Sequence, residues 1–188
     1  MLKIKIPFAI VLILLLNSCG SSNYYVLSPA RQPTTLYTYK NKIIGVEKVT
    51  VPDYLYKREI AIAKSSTQIS MLNGAEWGED LDAGLTYRLI SFMQKKFQQP
   101  SVYAYPWGLD RQPNIKLNVD VTRFIAQGDS VYLDANWEVV DMLTKRRKTG
   151  LFHTKVATKS DANSIVSSMD KALTELTEVV ASGIKTYY

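Results

Sequence analysis

With 188 residues, 23 Lys and Arg against 17 Asp and Glu, the chain has a formal charge of +6 and the length of one domain with a sizeable core. Two of those cations lie within the first five residues, and the +4 that remains without them is too diffuse for the concentrated basic stripe of a nucleic-acid binder. A single cysteine excludes an intrachain disulfide, and that cysteine with a single histidine cannot supply the ligand set of a zinc site.

The chain opens Met1-Leu2-Lys3-Ile4-Lys5, runs apolar from Ile6 to Leu16, and turns small and polar through Asn17-Ser18-Cys19-Gly20. This is the positive, apolar, small-residue order of a secretory signal, and the apolar run is about half of the roughly 20 residues a spanning helix needs. Leu16-Asn17-Ser18-Cys19 resembles a lipobox, in which the thiol takes a diacylglycerol before cleavage makes it residue one; the competing reading is an ordinary buried cysteine. The expected organisation is a signal peptide over 1–18, a lipidated Cys19 with a tether over 19–23, and one domain over 24–188. The covalent diacylglycerol and N-acyl lipid on Cys19 are the only non-protein groups expected, with no cofactor and no metal. At about 0.8 kcal/mol per buried methylene, several acyl chains anchor a protein far more firmly than one. Gly20 in place of an aspartate resembles the sorting pattern for the outer membrane, facing the periplasm.

Tyr24 to Leu27 has the aromatic and β-branched content of a strand. If it packs, a tether of about four residues reaches only about 13 Å and the domain sits close to its membrane. The alternative is a leash running to about Thr38 through the loop-like stretch Pro29 to Thr35. Ile43 to Val51 and Glu59 to Ala63 read as strands, with Gln68 to Leu72 a candidate to pair with one of them. Between 80 and 97 the period changes: Leu81, Leu85, Leu89, Met93 and Phe97 recur every four residues, with Asp80 and Asp82 at the start and Lys95 and Lys96 at the end. The spacing predicts an amphipathic helix with charges placed as its dipole favours.

From Ile115 to Thr122 the alternation is strict, and it resumes from Val131 to Val139 after Gln127-Gly128-Asp129, which predicts a hairpin with one buried face. Lys145 to Gly150 reads as a charged loop before a third strand, Leu151 to Thr158. Asp161 then caps a long helix with Ile165, Met169, Leu173, Leu176, Val180 and Ile184 as its apolar stripe. The expected fold is a single-domain α/β structure, a mixed, mostly antiparallel β-sheet packed against two amphipathic helices. Twelve tyrosines and three tryptophans suit a β-rich protein with aromatic contact surfaces.

Several separated stretches together resemble one family, the ABC-type transport auxiliary lipoproteins, which include the paraquat-inducible protein C lipoproteins. They are Tyr24-Tyr25-Val26-Leu27-Ser28-Pro29, then Val51-Pro52-Asp53-Tyr54-Leu55 with Glu59-Ile60, Trp77-Gly78-Glu79-Asp80-Leu81, Tyr105-Pro106-Trp107, Asp120-Val121 with Phe124, and Leu133 with Trp137. The family usually shows Ala and Pro where this chain has Gly78 and Asp80. The resemblance implies a lipoprotein of the outer membrane, working with a periplasmic protein of the mammalian-cell-entry (MCE) type and an inner-membrane transport component to move lipids between membranes. Such a role also leaves room for a homo-oligomer.

Candidate sites divide by chemistry. His153 shares a strand face with Lys155, opposite Phe152 and Val156, and the sequence shows no group to orient it as a base, so no enzyme is expected. Glu79, Asp80 and Asp82 are explained by a helix N-terminus. Tyr54, Trp77, Tyr105 and Trp107 lie in loop-like sequence, where a large ring is either a lid on the core or an anchor for a partner. Core lid is the favoured role for Trp77. Arg146 and Arg147, within Lys145 to Lys148, are either a solvated hairpin tip or a contact for an anionic surface. Two functions compete with each other: an accessory subunit docking a transport assembly at the outer membrane, and a free-standing periplasmic lipid carrier with an acyl chain in an apolar cavity.

Overall fold

The computed structural model describes residues 22–27, 32–38, 42–108 and 112–187. Cys19, the expected signal peptide over 1–18 and most of the expected tether over 19–23 lie outside them. Among the described residues eight strands form one sheet: β1 (Asn23–Tyr25), β2 (Ile44–Glu47), β3 (Glu59–Ala63), β4 (Ile69–Trp77), β5 (Val102–Tyr105), β6 (Ile115–Gln127), β7 (Ser130–Asp141) and β8 (Arg147–Ala157). Helix α1 (Leu81–Lys96) joins β4 to β5, and α2 (Ala162–Lys185) follows β8.

Strand β6 organises the sheet. Along its whole length it pairs antiparallel with β7, which pairs antiparallel with β8. Its other edge is shared: β2 runs parallel to Ile115–Leu117, and β3 runs parallel to Ala126 and Gln127. Thr50 bridges to Asp120 in the gap. Beyond these, β5 lies parallel to β2, β4 antiparallel to β3, and β1 parallel to β4. The sheet is mixed and its longest ladders are antiparallel, as the alternating segments imply.

That alternation places Ile115, Leu117, Val119 and Val121 inward, all at most 2% exposed. It breaks at Thr122 because the register shifts between Val121 and Arg123, an extra residue that turns Phe124 inward opposite Leu133. Both helices cover this inner face. α1 sets Leu85, Leu89, Phe92 and Met93 into the core, and α2 sets Met169, Leu173, Leu176 and Ile184 there. Asp161 caps α2 by accepting a hydrogen bond from the Ser164 N–H at 2.9 Å.

Four element expectations need correction. The strand expected over Ile43 to Val51 stops at Glu47, and Asp53–Leu55 forms a single 3-10 turn after Pro52. β4 continues past Leu72 to Trp77, because Gly74, at φ 67°, carries the strand through a step that hides its period. β8 begins at Arg147 rather than Leu151, so most of the supposed charged loop is strand. Asp82 does more than complement a dipole: it is 2% exposed and pairs with Lys48 at 2.6 Å, whereas Asp80 at the N-cap makes no side-chain capping bond.

Of the two readings of the N-terminal stretch, the packed one matches the structure, since Asn23–Tyr25 joins the sheet and residues 32–38 are tied to the helices. Thr34 donates to Glu178 from its N–H at 3.0 Å and its hydroxyl at 3.1 Å, and the Tyr37 N–H donates to the Lys96 carbonyl at 2.7 Å. Lys96, 1% exposed, meets the same Glu178 carboxylate at 2.6 Å and the Thr35 hydroxyl at 2.9 Å. Burial acts to raise the Glu178 pKa, but the hydrogen bonds from Lys96 and Thr34, with the Lys96 charge, hold it below its ordinary 4.5. A carboxyl held low in the fold contributes stability that is present above its unfolded pKa and lost as pH falls through its folded one. Melting temperature is therefore expected to fall between about pH 5 and pH 3 more steeply in the native chain than in Glu178→Gln. Equal slopes in calorimetric melts across that window would refute the assignment.

Candidate functional site

Among the described residues the sheet has an inner face filled by helices and an outer face bare of them. β5 forms one edge of that outer face, and its alternation sends Tyr103 and Tyr105 outward, opposite Gly45 and Glu47 on β2. Trp107, just beyond the cis Tyr105–Pro106 bond, folds back over the strand. Its ring meets Tyr105 edge-on, at 5.2 Å between centroids and 84° between planes, and Tyr103 at 6.1 Å and 79°. Gly45 makes room for this. A Cβ there would lie 3.1 Å from Trp107 Cζ3 and 3.0 Å from Pro113 Cγ. The Tyr105 hydroxyl donates to Gln112 Oε1 at 3.2 Å.

The three rings are therefore fixed relative to one another while Tyr103 stays 49% exposed. Rigid aromatics with a polar rim are the chemistry of a protein-binding hot spot, because little side-chain entropy remains to be lost on contact. The rim is ordered too: Glu47 accepts from Lys116 Nζ at 3.1 Å and from Asn118 Nδ2 at 2.9 Å.

The register also connects two residues that the sequence leaves unconnected. Tyr103, Gly45, Lys116, Val140 and Arg147 form one row across β5, β2, β6, β7 and β8. Four strand spacings of about 4.8 Å put Arg147 about 19 Å from Tyr103 on the same face. Arg147 reaches Glu138 at 3.1 Å, and Arg146 stacks over the Tyr187 ring at 5.7 Å, so neither cation waits in an unstructured tip.

The other candidates separate from this surface. Trp77 is 3% exposed and belongs to the core. Tyr54 is half-buried, and its hydroxyl accepts the Phe124 N–H at 3.2 Å, a bond that secures the backbone beside the bulge in β6. Burial pushes its phenol pKa up, against the smaller opposite pull of that N–H and of Arg123. Tyr103 was missed by the sequence reading, although Val102-Tyr-Ala-Tyr105 carries the alternation and aromatic content that would have marked β5 as a strand.

His153 has a partner that its own segment does not reveal: its Nδ1 contacts Asp134 Oδ1 across the β7–β8 ladder. The pair lies on open strand surface, with the His153 side chain 67% exposed, and so lacks the water-excluding cleft that catalysis uses. Among the described residues no three His, Cys, Asp or Glu side chains gather as a metal site. Nor do the described helices include one long and apolar enough to cross a membrane. An acyl chain would need an apolar cavity of about 300–1,000 Å³. The pocket between Leu55–Arg58 and Trp77–Leu81 holds about 60 Å³, the larger hollows of about 440–570 Å³ among the described residues are open surface grooves, and between sheet and helices Phe92, Phe97, Phe124 and Leu133 are fully buried.

Residues 25–181 match the family model described as the ABC-type transport auxiliary lipoprotein component. Two curated proteins, each named intermembrane transport lipoprotein PqiC, from Escherichia coli strain K12 and Shigella flexneri, are 31% identical over 129 residues, covering 65% of this chain and 67% of theirs. Two crystal structures share the fold. One, of an uncharacterized protein, gives a TM-score of 0.71 at 23% identity and covers 87% of this chain and 99% of its own. The other, of a Xanthomonas campestris protein, gives 0.70 at 15% identity with 85% and 93% covered.

Proposed function

The chain belongs to the ABC-type transport auxiliary lipoprotein family, and from that premise we propose that it is a non-enzymatic docking subunit of an intermembrane lipid transport system. A lipid on Cys19 holds the domain at the outer membrane, facing the periplasm, and the bare sheet face receives an MCE-type periplasmic protein coupled to an inner-membrane transport component. The observation that carries the docking role is the fixed ring cluster of Tyr103, Tyr105 and Trp107 at the β5 edge. β1 starts at Asn23, four positions after Cys19, which limits the reach between anchor and sheet to at most about 13 Å. That short reach keeps the domain against its membrane and limits the orientations it offers a partner. Against the lipid-carrier alternative, the hollows of about 440–570 Å³ among the described residues are open surface grooves, and the more enclosed pocket beside Trp77 holds only about 60 Å³.

Two variants test the two halves of this reading. Cys19→Ala is expected to yield a folded domain that leaves the outer-membrane fraction and no longer supports transport. If it still fractionates there and transport persists, the anchor is misassigned. Trp107→Ala is expected to stay at the membrane yet lose partner recovery, since a hot-spot aromatic is worth about 2 kcal/mol, about thirtyfold in affinity. Undiminished recovery of the MCE-type protein after crosslinking in cells would move the docking site elsewhere.

A further inference from the structure

The opposite edge of the sheet presents a second recognition feature, independent of the aromatic cluster. Among the described residues the only strand β8 pairs with is β7, so one side of it is open to another strand from Arg147 to Lys155; at its end the Ala157 carbonyl accepts the Ser168 hydroxyl at 2.9 Å. Natural edge strands are usually shortened, bulged, interrupted by proline, lined with charge or covered. Of these β8 shows only the charge, which repels a like-charged strand and not an acidic one: its register with β7 runs unbroken from Ser130↔Ala157 to Val140↔Arg147, and its sequence contains no proline. At its centre Gly150, Leu151 and Phe152 carry no charge, and Leu151 is 87% exposed.

Charge decides what such an edge accepts. Residues 147–157 hold Arg147, Lys148, Lys155 and His153 and no acidic residue, with Lys145 and Arg146 just before and Lys159 just after. The acids facing them sit on neighbouring elements: Glu138 meets Arg147, Asp134 meets His153, and Glu175 on α2 accepts the Thr154 hydroxyl. The Arg147–Glu138 and His153–Asp134 pairs are both exposed and so are weakly held. Lys155 lies 5.6 Å over the Tyr132 ring, and neither it nor Lys148 is in an ion pair among the described residues.

A second copy of β8 fits poorly. In an antiparallel pair centred on Leu151, Arg147 of each copy faces Lys155 of the other. Like charges directly opposite are destabilising. We propose that β8 is the receiving edge for an extended acidic segment of a protein partner, which adds to the sheet as the next strand. Acidic residues near both ends of that segment meet Arg147 and Lys148 at one end and Lys155 at the other, about 26 Å apart at about 3.3 Å per residue, with uncharged residues beside Gly150 to Phe152.

The test uses the full-length lipoprotein in its own envelope, with a photocrosslinking amino acid at Leu151 and, in a parallel strain, at Trp107 to report the docking face separately. The expected product at Leu151 joins an acidic segment of another protein, identified by sequencing the linked peptide. Its yield falls at least fivefold in Lys148→Glu/Lys155→Glu, with unchanged melting, and returns in Lys148→Arg/Lys155→Arg. Linkage to residues 147–157 of a second copy, linkage to a segment without acidic residues, no linkage at all, or a yield indifferent to charge reversal would each overturn the proposal, whatever the Trp107 strain shows.

Discussion

Replacing Trp137 with alanine is expected to lower stability by about 3–5 kcal/mol, a shift of about 10 °C or more in melting temperature for a domain of this size. The ring lies on the inner face of β7, 7% exposed, between two backbones that approach it only because each offers a glycine. Gly150 stands directly across on β8, where a Cβ would fall 2.4 Å from Trp137 Cζ2. Gly183 lies on α2, where a Cβ would fall 2.6 Å from Cζ3 and 2.7 Å from Cη2. The tryptophan thus joins helix to sheet, and both glycines are packing choices rather than turn residues.

Gly183→Ala sharpens the test because two effects oppose each other. Alanine favours a helix interior by about 1 kcal/mol over glycine, while forcing a methyl into a filled contact costs about 1–3 kcal/mol. At 2.6 Å from a ring held on both sides, the clash is expected to win and the variant to melt earlier. In a Trp137→Phe background the smaller ring frees space, so the same change becomes neutral or stabilising. Phenylalanine removes no hydrogen bond, as the buried Trp137 Nε1 has no acceptor among the described residues. A higher melting temperature for Gly183→Ala alone would refute this packing account.

Asp170→Ala is expected to cost about 3–5 kcal/mol in denaturant unfolding. Asp170 on α2 takes a guanidinium hydrogen of Arg88 on α1, and both side chains are buried, at 3% and 8% exposure. Arginine cannot shed its proton to escape burial. Its Nε already lacks an acceptor among the described residues, so losing the carboxylate strands a full charge between two helices. Replacing both partners with apolar residues, as in Arg88→Met/Asp170→Leu, is expected to recover most of the loss, because burying two charges repays little of its desolvation cost. A single-variant cost below about 1 kcal/mol would mean that water reaches the pair.

Neither prediction could be read from one segment. Trp137 was legible as an inward residue of an alternating strand, and Gly150 looked like the end of a charged loop. Arg88 and Asp170 are 82 positions apart, each an unremarked polar residue on an otherwise apolar helix face. Within the candidate site, Tyr105 and Trp107 stood out by residue type. Tyr103, Gly45 and Pro113, which hold them in place, became visible only with the β2–β5 pairing. Trp77 and Tyr54 had the same aromatic signal and proved to be a core residue and a support for the β6 bulge, since ring size alone does not say which side of a surface a ring lies on.

By itself the sequence determined the periodic elements: the β6–β7 hairpin from its two-residue alternation, α1 and α2 from apolar residues three and four apart, and the cap at Asp161. These depend on neighbours a few residues away, and local spacing specifies a face. The tertiary structure alone decided the parallel ladders of β1, β2 and β3, the sharing of one edge of β6, the Tyr103-to-Arg147 row, and the choice of β8 as an open edge. Those depend on which face meets which across long stretches of chain, a competition among whole packing arrangements in which a side chain's own neighbours carry little weight.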